Sequence, residues 1–225
     1  MLGDEKSLAR KQKKEYTVNM NVKTENEFEK MRRIMQETPA GKSLLLHSCC
    51  APCSSACLEI LHAHFKVTVF YYNPNIEEEA EYQKRKAEQI RFLRETGWAD
   101  FLDCDHAPEE FQRISAGLED CPERGERCHQ CYALRLRRTA EEAKVRGFDY
   151  FSTTLSVSPY KVSRWINEIG RALEGETGVA FLPSDFKKQG GYARSIALSA
   201  QYGLYRQDFC GCSFSRRERE ERTKK

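Results

Sequence analysis

No apolar run in this chain approaches the ~20 residues that a membrane-spanning helix needs, so a membrane protein is not expected. No apolar stretch follows the early basic residues Lys6, Arg10, Lys11, Lys13 and Lys14 either, which argues against a secretory signal and for a cytoplasmic location. Charge of one sign is equally scarce: 37 Lys and Arg against 34 Asp and Glu leave a net +3. Contact with nucleic acid would then depend on local clustering rather than on total charge. Internal repeats and low-complexity tracts are missing. What the chain does have is ten cysteines in 225 residues, 40% of which are hydrophobic. A core can form from that composition without disulfide staples, so an oxidised scaffold is not expected, and metal or redox chemistry becomes the default explanation for the thiols.

The hydrophobic pattern alternates between strands and helices. Residues 1–22 are polar, lysine-rich and aperiodic and read as a disordered or loosely docked arm. Phe28, Met31, Ile34 and Met35 recur at helical spacing, and Pro39-Ala40-Gly41 ends that helix before the apolar run from Ser43 to His47, the first strand. A helix follows with Pro52 in its first turn. Val67–Tyr72 is a second strand, Glu77–Thr96 a long charged helix and Phe101–Asp103 a short third strand. Downstream come a helix over Cys128–Arg146, a strand over Tyr150–Leu155, a helix over Lys161–Leu173, a strand over Val179–Leu182 and a helix over Tyr192–Tyr202. This alternation predicts one α/β domain over residues 23–214, a parallel sheet with helices on both faces. Residues 215–225 form a basic tail expected to fray.

Ligands of an open α/β sheet bind beyond the carboxyl ends of its strands. The first such end is Ser48-Cys49-Cys50-Ala51-Pro52-Cys53, which offers thiols where a phosphate-binding turn would offer glycines. Adjacent Cα atoms lie ~3.8 Å apart, below the ~4.4 Å that ordinary disulfides span, so Cys49 and Cys50 do not pair with each other. Cys128-His129-Gln130-Cys131 and Cys210-Gly211-Cys212 each let two thiolates converge on one centre. These three segments hold seven thiols, more than the four of a closed zinc site and enough for a four-iron cluster with ligands to spare. Cys57, Cys104 and Cys121 read as small buried hydrophobes. His47 and His129 border the clusters, but no histidine is nominated as a ligand.

The ordered segments His47–Cys53, Tyr71–Ile76, Glu81–Arg85, Arg127–Tyr132, Thr153–Lys161, Phe186–Lys188 and Tyr205–Cys212 resemble the cobalamin-independent epoxyqueuosine reductases. The resemblance covers about residues 40–216. It implies a fold similar to the nucleotide α-hydrolase or PP-loop class. It also implies reduction of the epoxide of epoxyqueuosine in the anticodon loop of a tRNA with a GUN anticodon, giving queuosine. The implied cofactor is a [4Fe-4S] cluster, with room for a second adjacent iron, drawn from the ligand pool Cys49, Cys50, Cys53, Cys128, Cys131, Cys210 and Cys212. Cys49, Cys50 and Cys53 are the expected catalytic thiols. An electron donor is implied but not identified. Where the PP-loop pattern would place glycines, this chain has Ser48-Cys49-Cys50-Ala51-Pro52-Cys53-Ser54, and that argues against use of ATP.

A nucleic-acid substrate needs phosphate contacts and aromatic rings to stack a splayed base. The basic residues in or near the motif loops are Arg85, Arg127, Arg135, Lys161, Lys187, Lys188, Arg194 and Arg206, with Tyr72, Tyr82 and Tyr132 as stacking candidates and Asn73 and Asn75 beside them. Two other classes compete with this reading. One is a zinc-stabilised RNA-binding module without catalysis; the other is a PP-loop-type ATP-dependent tRNA-modifying enzyme.

Overall fold

A computed structural model describes residues 25–223; the arm expected over residues 1–22 lies outside them. Helix α1 (Glu27–Glu37) starts on a capping box in which the Asn26 side chain accepts from the Glu29 backbone and the Glu29 side chain accepts from the Asn26 backbone. It leads to β1 (Ser43–His47), α2 (Ala51–Leu61), β2 (Lys66–Phe70), α3 (Glu79–Thr96), β3 (Asp100–Leu102), α4 (Pro108–Ser115) and α5 (Glu126–Arg146). Then come β4 (Tyr150–Thr153), α6 (Ser163–Thr177), β5 (Ala180–Phe181), α7 (Gly191–Gln201) and α8 (Ser213–Thr223).

The five strands form one parallel sheet in the order β3-β2-β1-β4-β5, as the alternation of elements predicts. Side chains along β1 point alternately to the two faces. Leu44 and Leu46 join Met31, Leu58, Leu61, Phe92 and Leu93 of α1, α2 and α3. Leu45 joins Tyr132, Leu136, Ala140, Ile166 and Leu173 of α5 and α6. Both faces are thus covered, which is why all five residues of β1 read as one apolar or neutral run. Among the described residues, no helix is long and apolar enough to cross a membrane.

Three segments differ from expectation. Residues 213–223 do not fray: they form α8, anchored by buried Ser215 and by Phe214, which meets Phe111 at 6.3 Å between ring centroids. Helix α4 is absent from the sequence reading because its eight residues bury only Phe111 and Ser115, too few to show a period. Strand β4 stops at Thr153, and residues Thr154–Val157 turn into a 3-10 helix in which the Thr153 side chain accepts from the Leu155 backbone.

The order of the strands locates the site. The chain leaves β1 to one side for β2 and β3, and returns across it to β4 and β5. The connections beyond β1 and β4 therefore diverge and leave a crevice at this switch point. Ser48-Cys49-Cys50 issues from one lip of that crevice and Thr154–Val157 from the other.

Candidate metal centre

Buried polar contacts fix the loop after β1. The Asn73 amide donates to the Ser48 carbonyl at 2.8 Å, and the Ser48 and Ser54 hydroxyls both donate to Gln89 Oε1, at 2.9 and 3.1 Å. His47 Nε2 lies 3.0 Å from the Tyr72 carbonyl and Nδ1 lies 2.9 Å from Thr153 Oγ1. A carbonyl only accepts, so the proton sits on Nε2 and Nδ1 accepts from the threonine. Burial, aided by the Arg135 charge, pushes the His47 pKa down to about 3, so the imidazole is neutral and serves as a brace.

Held this way, Cys49, Cys50 and Cys53 place their sulfurs within 4.8 Å of one another. Burial opposes ionisation of Cys50, but hydrogen bonds from Cys49 and Cys53 and the Arg85 guanidinium outweigh it, holding this thiol well below its ordinary range. The Gln207 amide also donates to Cys50 Sγ, at 2.7 Å. Hydrogen bonding to Cys50 is the main cause that raises Cys49 to about 11. The first negative charge of the group therefore settles on Cys50.

A second thiol set is assembled from distant segments. Cys128 and Cys131 lie in the first turns of α5, and Cys210 and Cys212 flank Gly211 in the loop before α8. All four line one small cavity with Asn75, Lys161 and Arg135. The groups that approach these sulfurs are donors: the Arg124 backbone N–H to Cys128 (3.3 Å), the Ser215 backbone N–H to Cys212 (3.4 Å), and Lys161 Nζ to Cys210 (3.2 Å). Sulfurs met by N–H groups and a buried ammonium are suited to be thiolates, the form in which cysteine binds metal. Burial pushes the metal-free Cys131 thiol up to about 12, so only a bound cation would keep all four ionised together. The donor set thus fits a cationic cluster. Four thiols spread around a cavity suit a multi-iron cluster, and three within 4.8 Å suit a single ion.

Gly211 makes the second set possible. Its φ of +123° is one that residues with a side chain rarely adopt, and an added Cβ would lie 2.8 Å from Ile76 Cγ1. Gly211→Ala should therefore destabilise the fold by about 1–3 kcal/mol and displace Cys210 and Cys212. A lower melting temperature together with reduced iron retention is the expected readout.

Beside the triad opens a larger cavity of about 460 Å³. Cys49 and Cys53 line it, as do Arg135 and Lys161, which it shares with the small cavity. Tyr160, 55% exposed, stands among its lining residues with Tyr192, Arg206, Phe209, Arg219 and Arg222. Of the basic residues read from the sequence, Arg135, Lys161 and Arg206 reach this cavity.

The remaining candidates have other partners. Arg85 is buried, with Nε on Glu81 at 2.6 Å and Nη1 on the Cys210 carbonyl at 3.1 Å, so it braces the cysteine loop and offers nothing to a phosphate. Arg127 donates to the Leu118 and Glu119 carbonyls at 2.9 and 3.0 Å. Lys187 pairs with Asp185, and Arg194 with Glu59. Lys188 is exposed but does not line the cavity. Tyr72, Tyr82 and Tyr132 are at most 2% exposed, and are wall and core rather than a stacking surface. Tyr82 itself stacks on His106, 4.0 Å between centroids. The Asn75 amide faces Cys210 Sγ at 4.0 Å.

Gln207, Tyr160, Tyr192, Arg219 and Arg222 escaped the sequence reading. Gln207 and Tyr160 stood inside motifs that carry the family resemblance, while Arg219 and Arg222 were hidden in a tail read as frayed.

The model of the epoxyqueuosine reductase QueH family matches residues 44–218. Relatives of that name include one from Streptococcus pyogenes serotype M1, 38% identical over 202 residues, covering 88% of this chain and 79% of the relative. Another, from Haemophilus influenzae, is 40% identical over 185 residues, covering 81% and 75%. A third, from Thermotoga maritima, is 37% identical over 186 residues, covering 80% and 93%.

Proposed function

Because this chain belongs to the epoxyqueuosine reductase QueH family and is an oxidoreductase that reduces epoxyqueuosine to queuosine, we propose that the nucleoside enters the 460 Å³ cavity while still part of a tRNA anticodon loop. The observation that carries this reading is the lining of that cavity. Cys49 and Cys53 of one thiol set and Cys210 of the other line it together with Tyr160, Tyr192, Arg206, Arg219 and Arg222.

Cys128, Cys131, Cys210 and Cys212 would hold a [4Fe-4S] cluster, and Cys49, Cys50 and Cys53 a second, adjacent iron. Bound there, the iron centres would relay two electrons from an external donor and supply the Lewis acidity that conversion of an epoxide to an alkene and water requires, with two protons taken up. The protein does the rest. Tyr160 and Tyr192 offer ring faces to a base drawn out of the loop, a sequence-tolerant contact that does not depend on base edges. Arg206, Arg219 and Arg222 line the cavity and would meet backbone phosphates, Arg219 and Arg222 by exchanging their partners Asp208 and Glu123 for phosphate. Leu155 and Val157, both buried, make the inner wall apolar and limit water beside the thiols. Lys161 holds its charge at Cys210 while Glu123 flanks it at 3.7 Å.

Grip and chemistry are separable on this account. Replacing Arg206 and Arg219 together by Ala should weaken tRNA binding and lower the salt slope by about 0.7 per phosphate that is no longer neutralised on single-stranded RNA. Iron content should not change. Binding isotherms across a salt series check the first, and metal analysis of the same preparations the second; an unchanged slope would place the RNA elsewhere. Protein purified without oxygen should be brown, with iron and acid-labile sulfide in amounts that require a four-iron cluster. A colourless, active protein holding one zinc would contradict the cofactor assignment.

A further inference from the structure

The buried cations around the two thiol sets are not equally answered. Arg85 has Glu81 at 2.6 Å, and Lys161 has Glu123 at 3.7 Å in addition to Cys210. Arg135, one turn after Cys131 on α5, is 0% exposed. Its Nε donates to the Cys131 carbonyl at 3.2 Å, and both terminal nitrogens are buried with no hydrogen-bond partner among the described residues. A buried guanidinium without a counter-charge costs several kcal/mol, so the fold would not keep one unless something anionic reached it.

The position of the group identifies that anion. Arg135 lines both the open cavity beside the triad and the small cavity of the four thiols. Those cavities carry Cys49 and Cys53 of one set and Cys128, Cys131, Cys210 and Cys212 of the other.

We propose that Arg135 is a counter-charge shared by the two thiolate centres, a positioning residue that sets how readily each accepts further negative charge. Resting on the iron–sulfur reading above, it removes Arg135 from the phosphate-binding residues. Reduction of the cluster by an external one-electron donor such as dithionite adds one electron and breaks no protein bond. The oxidised product is the donor. A fixed positive charge at the cluster favours its reduced form, so the potential is more positive with Arg135 than without it.

The test is a potentiometric titration of anaerobic holoenzyme, followed by electron paramagnetic resonance, after iron and sulfide have been counted. Arg135→Met keeps the bulk and removes the charge, whereas Arg135→Lys keeps the charge. The methionine variant should make the cluster at least about tenfold harder to reduce, a shift of about 59 mV to more negative potential for one electron. Lysine should restore most of it. If methionine sheds the cluster and lysine retains it, retention itself reports the need for charge and supports the assignment. A methionine variant with a full cluster and an equilibrium changed less than about twofold would overturn it. So would a lysine variant displaced as far as methionine, or loss of the cluster from both Arg135 variants with circular dichroism intact. Wild-type protein without a four-iron complement overturns the cofactor reading and this inference together, and is recognised before any variant is compared.

Discussion

Cys128→Ala, Cys131→Ala, Cys210→Ala and Cys212→Ala should each abolish retention of the four-iron cluster, with iron and acid-labile sulfide falling together, while Cys104→Ala folds and keeps its iron. The four are set apart by their shared cavity, and Cys128, Cys210 and Cys212 also by the donors aimed at them. Cys104 is partly buried against the core cluster that includes Tyr72 and Leu136. Cys210→Ala should also be the most destabilising of the four. It removes the sulfur 3.2 Å from the Lys161 ammonium and leaves that buried charge with Glu123 alone, at 3.7 Å. Breaking a buried pair in this way costs about 3–5 kcal/mol. Metal analysis and thermal unfolding of the five proteins check both statements, and equal iron loss in all five would show the partition of thiols to be wrong.

Cys49→Ala and Cys50→Ala should stop reduction and leave the rest of the molecule in place. Neither belongs to the four-thiol cavity, so the four-iron complement should persist while the iron beyond it is lost. Loss of a metal ligand should cost at least about a hundredfold in rate, the upper end for disturbing a ligand's outer-shell support. Cys50→Ala should be the more severe, because that sulfur carries the first charge of the group and receives the Gln207 amide at 2.7 Å. Affinity for tRNA, which we assign to Arg206, Arg219 and Arg222, should change little. Single-turnover rates and binding isotherms measured on the same iron-counted preparations separate the two. A large loss of affinity in either variant would mean that the thiols grip the substrate.

Much of this was legible before the fold was known, and the reasons are local. The apolar run at β1, the thiols that follow it and the close spacing of Cys128 with Cys131 and of Cys210 with Cys212 are short-range features that strand ends and tight turns preserve. The division of seven thiols between two sets was not legible, because it depends on α5 and the loop before α8 meeting across about eighty residues of chain. The tyrosines misled for a related reason. Tyr72 and Tyr132 lie where β2 ends and α5 begins, and which way such rings face is decided by the sheet they pack against. Arg85 carried an overlooked signal: Glu81 precedes it by four residues, the spacing at which a helical carboxylate meets a guanidinium. A pair of that kind is usually exposed and weak; here the loop around Gly211 closes over it. The basic tail became α8 through Phe214 and ion pairs such as Arg219 with Asp208 and Arg222 with Glu123, partners that its own composition does not announce.

The central claim is that a thiolate-bound iron centre acts on a nucleoside presented by RNA. It is tested most directly by mass analysis of the nucleosides from tRNA carrying epoxyqueuosine, incubated without oxygen with iron-loaded enzyme and a strong one-electron reductant, beside free epoxyqueuosine nucleoside treated identically. Loss of one oxygen from the tRNA-borne nucleoside, much faster than from the free one, is the predicted result. An unchanged nucleoside in the presence of fully loaded enzyme, or equal reduction of the free nucleoside, would contradict it.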